Sequence, residues 1–426
     1  MKRCVFIMVL SAVFWSTSCM ALTIRDLLDA VERQPGYKVS EMSVHESKLQ
    51  KERATAALYP KLELFGRFES YNSPTNLRPL PPTEVNVQAG ESIPFSREIL
   101  RYGLSFEAPL YVRELYVLQQ KMMLLRDKAK VDHQLDLLGR QASVVSLNSA
   151  LAYFQALEAA IDARRASLAK TLEDMSLKVK TGRAPESELL KIEKVLNDLD
   201  QQRNDVEIKR LDTLREIQTL TGMELTAAVD MNLERLPDKT SNFLSVIAEQ
   251  YNTEAAEKEL QRRRATRWPT LWITGYVSGN DGEAYNTDKH IHRDYNQVAL
   301  MLKFPLFDRT LSSDESIARV QLEKAKRRLE QTRLDVLALA DTLDRKIKVI
   351  ENSIAVAEKS VNHSQKLLTI AKVALQSGRI TTEEYLRYES DVLAAQASLY
   401  QARQQMWQIV AQQAVLYGTD LRGVVK

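Results

Sequence analysis

The sequence predicts an α plus membrane-β chain: a duplicated helix–strand–strand–helix unit in which very long helical hairpins carry four short strands. Three observations predict it. The chain matches itself at an offset of about 196 residues. Four segments alternate apolar and polar residues with period two. Long stretches between them repeat apolar residues every three or four positions with almost no Pro or Gly.

Composition narrows the class. The 426 residues are 44% hydrophobic and 27% charged, with 13 Gly, 12 Pro and 2 Cys, which excludes collagen-like, disulfide-stapled and disordered chains. Lys+Arg 59 against Asp+Glu 56 leaves a formal +3, without the basic excess of a nucleic-acid binder.

The N-terminus reads as an export signal over residues 1–21. Met1-Lys2-Arg3 is a cationic start, Val5 to Trp15 an apolar run, and Ser16 to Ala21 a stretch of mostly small residues. The run is too short for a membrane-spanning helix, which takes about 20 residues. Two processing readings compete: cleavage after Ala21, or a degenerate lipobox with lipidated Cys19 that lacks the usual Leu. Cleavage after Ala21 removes both cysteines, so the fold then uses no disulfide, and losing Lys2 and Arg3 brings the net charge to +1.

The repeat divides the remainder into residues 22–225 and 226–426. Pro109-Leu110-Tyr111 matches Pro305-Leu306-Phe307, and Gly182-Arg183 matches Gly378-Arg379. Without a gap, Glu188 then matches Glu384, Glu193 matches Glu389, and Gly222 matches Gly418. Tyr59-Pro60-Lys61-Leu62 matches Trp268-Pro269-Thr270-Leu271 at an offset of about 209, so the second copy has a shorter strand-to-strand loop, where deletions are tolerated.

Each unit starts with a helix and continues into two strands, near 60–71 and 101–110, then near 269–278 and 297–306. Leu62, Leu64, Gly66 and Phe68 alternate with Lys61, Glu63, Phe65 and Arg67; Tyr102, Leu104, Phe106 and Ala108 alternate with Arg101, Gly103, Ser105 and Glu107. Leu271, Ile273, Gly275 and Val277, and then Val298, Leu300, Leu302, Phe304 and Leu306, repeat the pattern. Ten-residue amphipathic segments in an exported chain fit a transmembrane barrel, although a half-buried soluble sheet alternates in the same way. Four strands fall short of the smallest eight-stranded barrel, so spanning strands require several chains to share one.

The long hairpins occupy residues 112–221 and 308–417. From Val112 to Thr181 there is no Pro and only Gly139, giving a helix of roughly 100 Å at 1.5 Å per residue. Its seam runs through Leu115, Leu118, Met122, Leu125 and Ala129, then Ala142, Val145, Ser149, Ala152, Ala156, Ala159, Ala163 and Ala166, a coiled-coil spacing with small residues for close approach. Gly182 ends it, and a return helix carries Leu189, Ile192, Leu196, Leu199 and Val206 to Gly222.

These residues resemble the TolC-like outer-membrane efflux and secretion channels, which carry duplicated units with Tyr-Pro-Lys-Leu before the first strand and a Pro-Leu-aromatic step after the second. The resemblance covers about Leu22 to Leu421 and rests on the duplicated order more than on one motif. It implies a homotrimer whose twelve strands form one barrel in the outer membrane of a Gram-negative bacterium and whose long helices form a periplasmic α-barrel. Such a channel is the passive export duct of a tripartite efflux pump or type I secretion system, working with a periplasmic adaptor and an inner-membrane pump, without cofactor or nucleic acid. The Pro-rich connection from Asn72 to Leu100 and the one from Gly279 to Tyr295 then become cell-surface loops. The competing reading is a periplasmic, lipid-anchored or free, coiled-coil adaptor or scaffold; four amphipathic strands speak against it.

The same resemblance places two sites at the helical tip. Gly182, Arg183, Gly378 and Arg379 lie where family members meet the adaptor, while a glycine after a helix is equally a plain C-terminal cap. Glu188 and Glu384 match an acid facing the closed tunnel end, giving six carboxylates in a trimer. Thr381-Thr382-Glu383-Glu384 also reads as a capping box, whereas Pro185 leaves Glu188 outside one. Thr181 and Ser377 stand where the family commonly has Val, and Lys191 and Arg387 follow each acid by one turn.

Catalytic and metal signals are weak. Ser167-Leu168-Ala169-Lys170 and Lys180-Thr181-Gly182 match hydrolase patterns but share one predicted helix end, and the third motif is missing. His290-Ile291-His292 has no third metal ligand, so it reads as a solvated loop. Arg262-Arg263-Arg264 reads as a solvated helix end, with anionic headgroups the rival partner. Tyr59, Trp268 and Trp272 suit a membrane-interface belt.

Overall fold

A computed structural model describes residues 22–79 and 91–426; the segment expected to be an export signal and part of the Pro-rich connection lie outside the described residues. The elements are α1 (Ile24–Val31), α2 (Pro35–Ala56), β1 (Lys61–Asn76), β2 (Phe95–Tyr111), α3 (Arg113–Lys180), α4 (Glu186–Thr221), α5 (Leu244–Ala265), β3 (Thr270–Glu283), β4 (His290–Lys303), α6 (Arg309–Gln376) and α7 (Thr382–Tyr417). A 3-10 turn, Leu421–Gly423, follows α7. The long helices recur at the 196-residue offset from first residue to last, 68 residues in α3 and α6 and 36 in α4 and α7.

The single opening helix expected of the first unit is two helices. Pro35 has no N–H to extend α1, but its fixed φ suits the first position of α2, so the chain restarts there. The strands also run longer than the apolar alternation, because polar residues continue the ladder past the apolar stretch. β4 ends at Lys303 rather than near 306, and Pro305 lies beyond it, whereas Pro109 stays inside β2 at a register shift against β3.

Helices pack as one layer in two tiers. Nearer the sheet the order is α2, α3, α5, α6; toward the far tip it is α4, α3, α7, α6. The 68-residue helices, roughly 100 Å long, therefore run through both tiers. Burial on α3 follows two neighbours instead of one seam. Val145 and Ser149 are buried, but Ala152, Ala159, Ala163 and Ala166 lie on the face that no helix covers. On α4, Ile192, Leu199 and Val206 are buried as expected.

A girdle wraps the junction of the tiers. Leu27, Leu28 and Val31 of α1 pack with Val144 and Val145 of α3, Val410 and Ala414 of α7, and Leu421 and Val424 at the C-terminus. Asn148, fully buried, fastens the segment after α4: it donates to the Val229 carbonyl at 2.7 Å and accepts from the Val229 N–H at 2.9 Å. Pairing both backbone groups offsets the cost of burying that amide.

Candidate functional site

The sheet order is β1-β2-β3-β4, all antiparallel, with β1 and β4 as free edges among the described residues. Register puts Leu62, Leu64 and Phe68 on one face with Leu100, Leu104, Phe106, Val277 and Val298. That face is open: Leu64 is 83% exposed and Leu302 70%. An apolar sheet face left bare is the arrangement lipid satisfies. On it Phe106 lies over Gly275, where a Cβ would approach the ring to 2.5 Å, so the missing side chain is replaced by a neighbour's aromatic. The opposite face is polar. Arg101 donates to Glu69 at 2.8 Å and to Asn280 at 2.8 Å, tying three strands together.

Aromatic residues sit at the helix-side border of the sheet. Tyr59 and Trp268 are exposed there, and Arg113 lies 4.0 Å over the Trp268 ring. Trp272 does not join them, because the pleat turns it to the same face as Thr270 and Thr274.

At the far tip the two hairpin turns are alike. Gly182 and Gly378 both have φ of 70°, and the Arg183 N–H reaches the Lys178 carbonyl at 2.7 Å as the Arg379 N–H reaches the Ala374 carbonyl at 2.8 Å. This is a Schellman cap, which needs the left-handed residue that glycine supplies without strain. A Cβ at either glycine would meet nothing within 4 Å, so the turns are open surface.

Both tip acids have partners. Glu384 accepts from the Thr381 N–H at 2.9 Å and completes the capping box of α7. Glu188 pairs with Lys191 at 2.9 Å; hydrogen bonds from Lys191 and then Thr382 hold its carboxyl below the usual range. Lys191 also lies 4.0 Å from Glu383, so one cation serves both hairpins.

The remaining motifs find structural roles. Ser167 donates to the buried Glu389 at 2.8 Å, and Lys180 is about 20 Å further along the same helix. His290 and His292 both contact Asp281, at 2.9 and 3.1 Å; among the described residues no group of three or more His, Cys, Asp or Glu is placed to hold a metal. The Arg262–264 run makes ion pairs. Arg262 bonds Glu259 and Glu114, Arg263 bonds Asp314 at 2.7 Å, and Arg264 bonds Glu315 at 3.1 Å, locking α5 to α3 and α6. Burial raises the Glu259 carboxyl, but Arg262 and Lys121 outweigh it and hold the group at about 2.

A mostly apolar groove of about 870 Å³ runs along the junction of the tiers, lined by Gly139, Ala142, Ser146, Thr219, Val336 and Leu416. The groove carried no sequence motif, and in the Tyr385–Glu389–Ser167 cluster only Ser167 did, as part of a hydrolase-like pattern that says nothing of its partners.

No family model and no curated protein matches the chain. Solved structures do match. The outer membrane protein VceC of Vibrio cholerae shares 14% identity at a TM-score of 0.76, over 93% of this chain and 96% of that one. The Campylobacter jejuni CmeC outer membrane channel shares 14% at 0.79, over 93% and 85%. The Neisseria gonorrhoeae MtrE outer membrane channel shares 14% at 0.74, over 93% and 89%. The chain has the TolC-like channel fold, a helical layer topped by a β domain.

Proposed function

We propose that this protein is the outer-membrane component of an export system: a homotrimer forming a passive duct from the periplasm to the exterior, exported through its first 21 residues. One observation carries the reading. A four-stranded antiparallel sheet with a bare apolar face and two free edges sits on a helical layer whose two sides are also unpartnered. On one side Val39, Met42 and Ile208 are exposed, on the other Val349, Val356 and Ile370. Because β1 and α2/α4 mark one side and β4 and α6 the other, copies join head to tail and the ring closes both layers together. Three copies give twelve strands, which removes every sheet edge from the membrane.

In this reading Gly182, Arg183, Gly378 and Arg379 form the surface that meets a periplasmic adaptor, itself coupled to an inner-membrane pump. Their openness supports the docking role. Glu188 and Glu384 form the acidic ring of the tunnel end, with Lys191 and Arg387 beside them tempering its charge.

Single-channel recording of purified protein in a planar bilayer, with lysine-directed crosslinking of the same sample, tests the reading. Discrete conductance steps from a crosslinked trimer are the expected result. A water-soluble monomer that never inserts refutes it and leaves a periplasmic scaffold.

A further inference from the structure

The chain contains one copy of a helix seam that its own repeat says should occur again between chains. Inside the protomer, α3 packs antiparallel on α7. One hydrogen bond marks the register, Ser167 to Glu389 at 2.8 Å; carried twenty-two residues along both helices it sets Val145 level with Ala411, and both are buried in one cluster. Moving each partner by the 196-residue repeat turns α3 into α6 and α7 into α4. Those helices lie at opposite sides of the layer and do not pack on each other within one chain.

We infer that α6 of one copy docks on α4 of the next in this same register, pairing Asp341 with Arg215 and His363 with Glu193 across the boundary. The inference rests on the ring-forming reading above and adds the contacts that build it. Its support is chemical. The buried apolar level, Val145 with Ala411, maps onto Asp341 and Arg215, which carry opposite charge; the level of Ser167 and Glu389 maps onto His363 and Glu193, a base and an acid. Between these levels the register sets Val349, 65% exposed, level with Glu207, next to Ile208, 59% exposed.

The groups are available in the single chain. Asp341 and Arg215 are 62% and 68% exposed, held only by near neighbours on their own helices, Arg345 for the acid and Asp212 and Glu216 for the arginine. Glu193 and His363 are exposed, whereas Glu389, the repeat counterpart of Glu193, is buried. An interface that replaces an apolar level by a charge pair is also selective: the same α4 face set against α3 would bring Arg215 to Val145 and leave the cation without a partner.

Disulfide formation in the full chain tests the register, since a disulfide needs Cα atoms within about 7 Å. Asp341→Cys with Arg215→Cys, and His363→Cys with Glu193→Cys, are expected to give dimer and trimer bands on oxidation. The single variants give none, which controls for Cys4 and Cys19. The mates shifted by two turns, about 11 Å, namely Lys348→Cys with Arg215→Cys and Val356→Cys with Glu193→Cys, are expected to stay uncrosslinked. Charge reversal adds a second readout: Asp341→Arg lowers the trimer fraction, and adding Arg215→Asp restores it. If lysine-directed crosslinking still captures a conducting trimer while neither registered pair bonds, or the shifted pairs bond instead, the seam is overturned and the channel stands. A monomer without conductance overturns both.

Discussion

The bare apolar face of the sheet makes a quantitative claim at Leu104. On β2 the outward residues run from Leu100 to Leu110, about 33 Å along the strand at 3.3 Å per residue. At a tilt of about 40° that is a height of about 25 Å, the thickness of a barrel's lipid-facing band. Leu104 falls near the middle, between Leu64 and Val277 on the neighbouring strands. Leu104→Arg therefore sets a guanidinium near the bilayer midplane, which costs about 2–4 kcal/mol per protomer in a transmembrane barrel. Ser105→Arg is the matched control: one residue along, the pleat turns its side chain to the polar face beside Glu63 and Tyr276. The assay is reversible urea unfolding from lipid vesicles, comparing each variant with the parent. We expect a large loss for Leu104→Arg and a small one, under about 1 kcal/mol, for Ser105→Arg. Equal losses, or the larger one at Ser105, refute the assignment of the two faces.

Other expectations follow from individual contacts. Thr381→Ala removes the side-chain half of the α7 capping box and should cost about 1 kcal/mol, visible as faster proteolysis at the tip, while Thr181→Ala, outside any box, should change little. Leu343, fully buried between α6 and α7, should lose about 2–5 kcal/mol as Ala in chemical denaturation. Glu259 is held at about 2, below its ordinary 4.5. Its ion-pair stabilisation, of up to about 3 kcal/mol, is therefore complete above pH 4.5 and lost as pH falls toward 2; Glu259→Gln should flatten that part of an acid-unfolding curve. Gly378→Ala should destabilise the tip by about 1 kcal/mol through its left-handed backbone alone, since no atom lies near the new Cβ, and leave conductance unchanged.

Much of the fold is written in local pattern. The period-two alternation and the Gly182 and Gly378 turns are properties of neighbouring residues; the turns reappear at those glycines, while the strands run to different ends. The site was less legible. The cap at Glu384 was legible, since Thr381 completes a box and Pro185 offers α4 none; that Glu188 takes Lys191 and Thr382 instead was not, because Thr382 comes from the other hairpin. Glu389 carried no motif. Only the packing of α7 on α3 shows that it is buried against Ser167 and Tyr385 while Glu193, its counterpart, is exposed.

By itself the sequence determined the main helix and strand segments, where the hairpins turn and that four strands need company, since periodicity and caps act within a few residues; the break at Pro35 and the strand ends came from the structure. Tertiary structure decided the order of elements across the layer, the two stripes of burial on α3 that replace a single seam, and the face to which Trp272 points. Those depend on which distant helix or strand lies alongside. Residues far apart in the chain settle that by filling each other's apolar surface, and no local pattern encodes it.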